Sequence, residues 1–256
     1  MFDSIGFIGA GRIAHIMLGG WRQAGTALPT VYVFDTSVEA VAALQTAFPQ
    51  VKAASLEEVA GKALVFAALH PPAMAETLAK ISGLLRPDAV FCSLAPRVRL
   101  AALQEKLGGF ARLARQNPNA TSIVAQGYNP ISFGTGLPAD ARAELLALLT
   151  PLGATPEVAD ELIETYAVVS AMGPTYFWFQ FDALRQQAEA FGLSPEAARE
   201  TLRTMLHGAV ETMFASELPP ERVMNLVPVR PMADNEAAIV EMQRQGVGGM
   251  HAKLHA

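Results

Sequence analysis

The segment Ser4-Ile5-Gly6-Phe7-Ile8-Gly9-Ala10-Gly11-Arg12-Ile13-Ala14 decides the fold of this chain. Its first five residues are mostly apolar and predict a short buried strand. Gly9 and Gly11 then predict a tight turn, after which apolar residues recur at helical spacing. Small residues at positions 9, 11 and 14 permit the turn, the approach of a diphosphate to bare backbone, and close packing of helix on strand. The pattern favours a dinucleotide-binding turn over a plain tight turn in an α/β protein.

Strands and helices alternate along the first part of the chain. Apolar, β-branched or aromatic runs predict strands at Thr30–Phe34, Ala63–Leu69 and Ala89–Leu94. Helical patterns separate them at Val38–Phe48 and Ala73–Leu85. This alternation predicts a parallel sheet with helices on both faces.

Only helical periodicity remains after about residue 155. Asp160–Gly192 is predicted as one long apolar helix with a kink at Pro174. Ser194 caps a helix that is predicted to reach about Ser216, and Asp234–Gln245 is helical until Gly246–Gly249 breaks it. The predicted fold class is therefore α/β: a Rossmann-type doubly wound sheet over residues 1–154, followed by an all-α domain over residues 155–256.

The composition excludes several classes of protein. Of the 256 residues, 51% are hydrophobic and 17% charged, which predicts a packed core and excludes a disordered chain. The formal net charge is −5 and the basic residues are scattered, so nucleic-acid binding is not expected. The single cysteine, Cys92, excludes a disulfide framework and reads as a core residue. With no basic leader, and with Gly173-Pro174 inside the longest uncharged stretch, we expect a cytoplasmic protein without a membrane span.

An acidic residue ends the second predicted strand. Asp35 can accept hydrogen bonds from the ribose hydroxyls of NAD and would repel the 2′-phosphate of NADP. Thr36 supplies a hydroxyl that can serve a phosphate, so NAD and NADP both stay open, with NAD favoured. Asp35 can alternatively act only as a cap for the helix at Val38. Arg12 can either reach the diphosphate or face solvent.

Other predicted cofactor contacts follow from the same geometry. Backbone groups of the turn and of the first helical residues are expected to bind the diphosphate. Ligands of open α/β sheets bind beyond the carboxyl ends of the strands, which is where the strand beginning at Ala63 ends. These expected contacts are Gly9, Ala10, Gly11, Ile13, Ala68, His70 and Pro71.

Three segments resemble pyrroline-5-carboxylate reductases. The opening Ile5–Ala14 looks like that family's start, with Arg12 in place of an Asn. Arg115-Gln116-Asn117-Pro118-Asn119-Ala120 looks like its Arg-x-Met-Pro-Asn segment. Ser170-Ala171-Met172-Gly173-Pro174-Thr175-Tyr176 resembles Ser-Gly-Ser-Gly-Pro-Ala-Tyr on its interface helix. The resemblance implies a Rossmann domain, a helical domain that dimerises, and hydride transfer from NAD(P)H to the carbon of a cyclic imine.

The sequence also departs from that family at its substrate loop. Arg230-Pro231-Met232-Ala233-Asp234-Asn235 stands where the family has Ser-Pro-Gly-Gly-Thr-Thr to hold a carboxylate. Met172 replaces a serine, and His70-Pro71 replaces Lys-Pro. These changes predict a divergent NAD(P)H-dependent reductase that acts on a small imine or carbonyl compound, with the C=N bond of a cyclic imine favoured. A hydroxy-acid dehydrogenase and a non-catalytic nucleotide-binding regulator stay open, although Asp160–Gly192 lacks the lysine expected of the former.

Three residues are candidates for a catalytic role, and each also has a purely structural interpretation. Tyr176 can donate a hydrogen bond to the substrate nitrogen or pack on the interface helix. Ser170 can reach the substrate or bond within its helix. Asp234 acts as a general acid if desolvated, and otherwise caps the next helix.

Binding roles follow in the same way. Arg230 can bind a substrate carboxylate or face solvent. Asn119 can lie beside the nicotinamide or belong to an ordinary turn. By their place in the interface motif, Met172 and Thr175 are expected to contact substrate.

Six aromatic residues cluster in the apolar stretch, at positions 166, 176–179 and 181. A helix that is apolar on all sides must be buried, and the small C-terminal domain has too few residues to bury it alone. We therefore expect a homodimer through the C-terminal helices. The pair His251 and His255 has metal-chelating spacing, but a frayed tail is the preferred interpretation, and no metal site is predicted.

Overall fold

The computed structural model describes residues 2–69 and 71–255, so His70, a predicted cofactor contact, lies outside the described residues. The side chains of Pro71 and Pro72 lie outside them too. The chain forms two compact units. The first unit consists of the chain up to Met172 together with the segment that begins at Met250. The second unit is Gly173–Gly249. The domain boundary after residue 154 stays a prediction.

A seven-stranded sheet organises the first unit, in the order β3-β2-β1-β4-β5-β6-β8. Six strands run parallel, as predicted, and β8 pairs antiparallel with β6. The reversal arises because the segment between β6 and β8 contains only a short 3-10 helix and a strand of a second sheet, with no crossover helix. The strands are β1 Ser4–Ile8, β2 Thr30–Phe34, β3 Lys52–Ala53, β4 Leu64–Ala67, β5 Val90–Ser93, β6 Leu113–Gln116, β7 Gly127–Tyr128, β8 Ile131–Phe133 and β9 Gly153–Ala154.

Helices cover both faces of this sheet, which is the doubly wound arrangement that the sequence predicts. Residues of α1, α2 and α6 share one buried core with the sheet, and residues of α3, α4 and α5 share the other. On the first face, the rings of Phe7 and Phe66 stack at 5.0 Å, and Trp21 Nε1 donates to the carbonyl of Leu148 at 2.7 Å. The helices are α1 Arg12–Gln23, α2 Val38–Ala47, α3 Leu56–Ala60, α4 Pro71–Ile81, α5 Leu100–Lys106 and α6 Ala139–Leu149.

The prediction of one long helix over Asp160–Gly192 is wrong. That stretch is a chain of short helices, because Pro174 donates no backbone hydrogen bond and the helical register changes before it. The pieces are a 3-10 turn Asp160–Leu162, α7 Ile163–Tyr166, a π-helix Ala167–Ala171, a 3-10 turn Gly173–Tyr176 and α8 Trp178–Ala190.

Two further helical predictions had opposite outcomes. α9 spans Pro195–Ala215 and is capped by Ser194, whose hydroxyl accepts from the Ala197 N–H at 3.2 Å, as predicted. After the short α10, Pro220–Met224, the last helix α11 runs unbroken over Glu236–His255. The predicted break and frayed tail are therefore wrong. Each glycine weakens a helix by only about 1 kcal/mol and leaves its hydrogen-bond ladder intact.

The helices α8 to α11 leave their apolar residues uncovered in a single chain. Ala198 is the one residue of these four helices that is fully buried. Phe177, Trp178 and Phe179 expose 43%, 48% and 68% of their surface. Such exposure on a helical face indicates a protein interface. No helix within residues 2–69 and 71–255 is long and apolar enough to cross a bilayer.

Candidate active site

The glycine turn joins β1 to α1 in a conformation that only glycine adopts easily. Gly9 has a φ of +112°, and a Cβ there would lie 2.6 Å from the carbonyl oxygen of Ala68. Its N–H donates to the carbonyl of Phe34 at 2.7 Å. Ala68, a predicted cofactor contact, therefore lies directly against the turn. The backbone is held from both neighbouring strands and leaves no space for a side chain at position 9.

Gly11 opens the other side of this turn. It is the N-cap of α1 and provides no side-chain hydrogen bond to the first turn. A Cβ added at Gly11 would meet nothing within 4 Å. Arg12 is exposed and Ile13 half-buried, and the first turn of α1 carries no acidic residue. Bare amides at a helix N-terminus with open space before them fit the diphosphate of a dinucleotide.

Asp35 joins this turn from the end of β2. Its Oδ2 accepts from the Ala10 N–H at 2.8 Å, and its Oδ1 accepts from the Ser37 N–H at 2.9 Å. Helix α2 is capped by Ser37, whose hydroxyl accepts from the Ala40 N–H at 3.1 Å. Asp35 is thus not the helix cap. Its half-buried carboxylate holds the glycine turn at the carboxyl end of β2, and the exposed Thr36 lies beside it.

The structure brings Asn119 and Ser170 together. Asn119 Nδ2 donates to the carbonyl of Ser170 at 2.6 Å, and its Oδ1 accepts from the Thr121 N–H at 2.8 Å. The Ser170 hydroxyl donates to the carbonyl of Tyr166 at 2.9 Å, so it bonds within its own helical segment. The Asn119 side chain thus connects the loop after β6 to the backbone of the π-helix. Contacts of these residues with cofactor or substrate stay predictions.

The interface motif continues into the second unit. Tyr176 is partly buried in the 3-10 turn, and its ring packs edge-on against Phe177 at 6.4 Å. Burial raises the pKa of the Tyr176 phenol. A phenol is protonated at neutral pH even at its ordinary pKa, so the hydroxyl can act as a hydrogen-bond donor. Met172 is half-buried at the end of the first unit, and Thr175 is exposed.

The altered loop does not form a desolvated acid site in the single chain. Asp234 is exposed in the 3-10 turn Ala233–Asn235. A general acid requires desolvation, which the single chain does not supply at Asp234, so its catalytic role stays a prediction. Arg230 forms an exposed ion pair with Glu236, so its guanidinium is already engaged within the second unit.

A buried charge network lies below the carboxyl end of β6, and sequence reasoning missed it. Arg115 is fully buried, and its Nη1 and Nη2 lie 2.5 Å from Asp160 Oδ1 and 2.6 Å from Glu164 Oε1. Burial favours a raised pKa for Glu164, but the hydrogen bond and charge of Arg115, with the Arg97 N–H, outweigh it and hold that pKa below its usual value. The available signal was that Arg115 and Glu164 each follow apolar residues at a predicted buried position, because buried charges need partners.

Other features contribute nothing to this site. A cleft of about 490 Å³ lies at the opposite edge of the sheet, where Thr30 and Lys52 begin their strands. The rings of His251 and His255 stack at 4.1 Å on α11. No group of three or more metal-ligating side chains occurs within the described ranges.

This fold and turn define a dinucleotide-dependent oxidoreductase. Residues 4–96 match the family described as NADP oxidoreductase, coenzyme F420-dependent. Residues 160–255 match the pyrroline-5-carboxylate reductase dimerisation domain. The chain is 30% identical to the pyrroline-5-carboxylate reductase of Pseudomonas aeruginosa over 245 residues, which cover 94% of this chain and 89% of that protein. It therefore belongs to the pyrroline-5-carboxylate reductase family of NAD(P)-dependent enzymes.

A second relative supports this assignment, and a solved structure supports the fold. The Escherichia coli pyrroline-5-carboxylate reductase is 29% identical over 229 residues, covering 89% of this chain and 85% of that protein. The Plasmodium falciparum pyrroline carboxylate reductase, solved with NADP bound, superposes with a TM-score of 0.80 at 16% identity, covering 98% and 95% of the two chains. The predicted family, fold class and NAD(P) dependence are confirmed, and the dimerisation match confirms the expected homodimer.

Proposed function

We propose that this enzyme uses NAD(P)H to reduce the C=N bond of a small cyclic imine, with a substrate pocket that differs from that of its relatives. The open Gly11 position at the bare N-terminus of α1 carries the proposal, because it fits the diphosphate of the coenzyme. Membership of a family whose characterised members are named pyrroline-5-carboxylate reductases supplies the reaction class.

The coenzyme would supply a hydride to the imine carbon. Backbone amides of Gly11, Arg12 and Ile13 bind and orient its diphosphate. The Asp35 carboxylate, already fixed by the Ala10 and Ser37 amides, accepts from the ribose hydroxyls. Because a fixed carboxylate repels a 2′-phosphate, the proposal includes a preference for NADH over NADPH.

The substrate nitrogen gains a proton during the reduction. The Tyr176 phenol, whose ordinary pKa of 10.0 is raised further by burial, is protonated at neutral pH. It can donate its proton to the nitrogen as the carbon is reduced, and water then returns a proton to the phenolate. This role requires positioning and one hydrogen bond, with no covalent step.

The loop around Arg230 differs from the loop that holds the substrate carboxylate in the family. In place of glycines and threonines it has Arg230-Pro231-Met232-Ala233-Asp234-Asn235, and Arg230 pairs with Glu236. Backbone amides flanked by bulky side chains approach an anion less closely than those of a glycine pair. We therefore infer that this loop does not hold a substrate carboxylate as in the family. A cytoplasmic location is part of the same proposal, since the lone Cys92 needs no oxidising compartment.

The test is coenzyme oxidation, followed by absorbance, with a panel of cyclic imines and oxo acids. Oxidation of NADH with at least one cyclic imine, faster than with NADPH, is the expected result. Turnover of oxo acids alone would replace the proposal with a hydroxy-acid dehydrogenase. Coenzyme binding without any turnover would replace it with a regulatory protein.

A matched pair of variants tests the coenzyme site itself. Gly11→Ala places a methyl group where the diphosphate is expected and should weaken coenzyme binding about tenfold or more while the protein folds normally. Gly61→Ala adds the same methyl at the end of α3, where it meets only ordinary contacts at 3.6 Å, and should leave binding unchanged. Equal effects of the two substitutions would argue against the site.

A further inference from the structure

The loop between β5 and α5 holds an arginine in a conformation that disfavours side chains. Arg97 has a φ of 79°, in the left-handed region that glycine adopts freely. Ala125 is the other non-glycine residue with a positive φ in the described part of the chain, and it ends a 3-10 helix, where that conformation is common. Arg97 ends no helix. Strained conformations of this kind occur most often at binding and catalytic sites.

The network below the loop fixes this conformation. The Arg97 N–H donates to Glu164 Oε1 at 3.0 Å, and the Leu100 N–H donates to Asp160 Oδ2 at 3.1 Å. The buried Arg115 guanidinium binds both carboxylates. Two backbone amides three residues apart are therefore tied to one buried cation through its two partners, which makes the loop rigid.

The Arg97 side chain itself projects outward. It is exposed, and within the described ranges its guanidinium has no hydrogen bond or ion pair. The exposed Arg230 and Arg244 pair with carboxylates. Arg99 is also exposed and has no ion pair within the described ranges, but its backbone does not have the positive φ of Arg97. In a chain of net charge −5, a cation on a rigid support and without an internal partner is available to an external anion.

Its place on the sheet separates it from the coenzyme phosphates. Arg97 follows β5, whereas Asp35 follows β2, and the strand order places β1 and β4 between them. At strand spacings of about 4.8 Å, the two strands are about 14 Å apart at the same edge. A dinucleotide that is held at β1 with its ribose at β2 directs its other end toward β4 and β5. The loop is thus on the side of the substrate.

We propose that Arg97 binds the carboxylate of an imino-acid substrate at this edge of the sheet. The planar guanidinium matches a carboxylate in a two-bond arrangement, and the fixed backbone limits the entropy lost on binding. Arg97 would then bind the substrate carboxylate in place of the altered loop around Arg230. The inference rests on the proposed reduction of a cyclic imine.

The experiment compares two imines that differ only in the anion. The probes are pyrroline-5-carboxylate and unsubstituted 1-pyrroline, each at saturating coenzyme. Arg97→Gly suits the positive φ and should fold at least as well as the natural protein. We expect it to raise KM for the carboxylated imine at least about tenfold, with kcat/KM for 1-pyrroline changed less than about twofold.

Three further variants serve as controls for Arg97→Gly. Arg97→Asn also tolerates a positive φ, so it should reproduce the selective loss if the glycine variant folds poorly. Arg97→Lys should recover part of the affinity. Arg99→Ala, which removes an exposed arginine two residues away, should leave both substrates unaffected.

The outcomes separate this inference from the function on which it rests. Turnover of both imines by the natural protein, with unchanged KM in both Arg97→Gly and Arg97→Asn, overturns the carboxylate role alone. An equal loss on both imines, or a weakened affinity for coenzyme, means that Arg97 serves the coenzyme or the fold, and also overturns it. Turnover of other cyclic imines of the panel, but of neither of these two, overturns the carboxylate role alone. No turnover of any cyclic imine by the natural protein overturns the proposed function and this inference together.

Discussion

The Arg115 Nη2 atom lies 2.6 Å from Oε1 of Glu164, and neither residue is more than 3% exposed to solvent. The two residues are 49 positions apart in the chain. Their contact joins the end of β6 to α7 and, through the Arg97 N–H, to the loop after β5. One buried ion pair thus fixes the relative positions of three segments at the edge of the sheet where ligands are expected.

Removing the cation should destabilise the enzyme strongly. Arg115→Met leaves the buried Glu164 carboxylate without its counter-charge, so we expect the free energy of unfolding to fall by about 3–5 kcal/mol. Urea denaturation followed by circular dichroism measures the change. Arg86→Met, which breaks an exposed pair with Asp88, should cost about 1 kcal/mol or less. Similar losses in the two variants would show that the buried pair is not special.

Acid should remove the contribution of Glu164. Its pKa in the folded protein lies below the ordinary value of 4.5, because the hydrogen bond and charge of Arg115 outweigh burial. The stabilisation is therefore complete above the unfolded-state pKa and is lost as the pH falls through the folded-state pKa. Melting temperatures of the natural protein and Glu164→Gln should differ at neutral pH and converge toward acid. A gap that widens toward acid would refute the assignment.

The choice of coenzyme should respond to Asp35. Asp35→Asn keeps an oxygen for the Ala10 N–H but removes the charge that opposes a 2′-phosphate. We expect the ratio of kcat/KM for NADPH to that for NADH to rise about tenfold. Glu39→Gln removes an exposed carboxylate from the first turn of α2 and should leave the ratio unchanged. An unchanged ratio in Asp35→Asn would mean that its carboxylate does not face the ribose.

The sequence was sufficient where local rules apply. Gly9 and Gly11 predict their turn because only glycine permits that backbone, and alternating apolar runs predict the doubly wound sheet. Pro174 predicts a kink in one helix, whereas the structure has several short helices around it. Competition among α, 3-10 and π hydrogen bonding depends on packing that periodicity does not contain.

The buried network illustrates the other limit. In the sequence, Arg115 belongs to a motif that resembles one of the family, and no local pattern distinguishes Glu164. Their pairing depends on a contact between distant segments, and the positive φ of Arg97 depends on that pairing in turn. Pro96 is compatible with a turn of type I or type II, and only the second type has a positive φ at the residue that follows, so the local sequence does not decide the conformation of Arg97. Local sequence patterns therefore do not predict site residues whose conformation depends on contacts between distant segments of the chain.

The lone thiol should be inert in the folded protein. Cys92 is fully buried in β5, and burial raises the pKa of its thiol well above the ordinary value. Since the thiolate is the reactive form, a maleimide should not label native protein within hours but should label it completely in denaturant. Rapid labelling of the native state would show that β5 opens easily to solvent.

The exposed aromatic face of α8 should control dimer formation. Phe179 exposes 68% of its surface in a single chain, within the segment that matches the dimerisation domain. Phe179→Glu would bury a charge in the interface, so we expect the dissociation constant of the dimer to rise at least about tenfold. Leu84→Glu, an equally drastic change at a 42% exposed position of the first unit, should leave the dimer intact. Light scattering at micromolar concentration distinguishes the two variants. A natural protein that is monomeric under those conditions, or a Phe179→Glu dimer of undiminished affinity, would place the interface elsewhere.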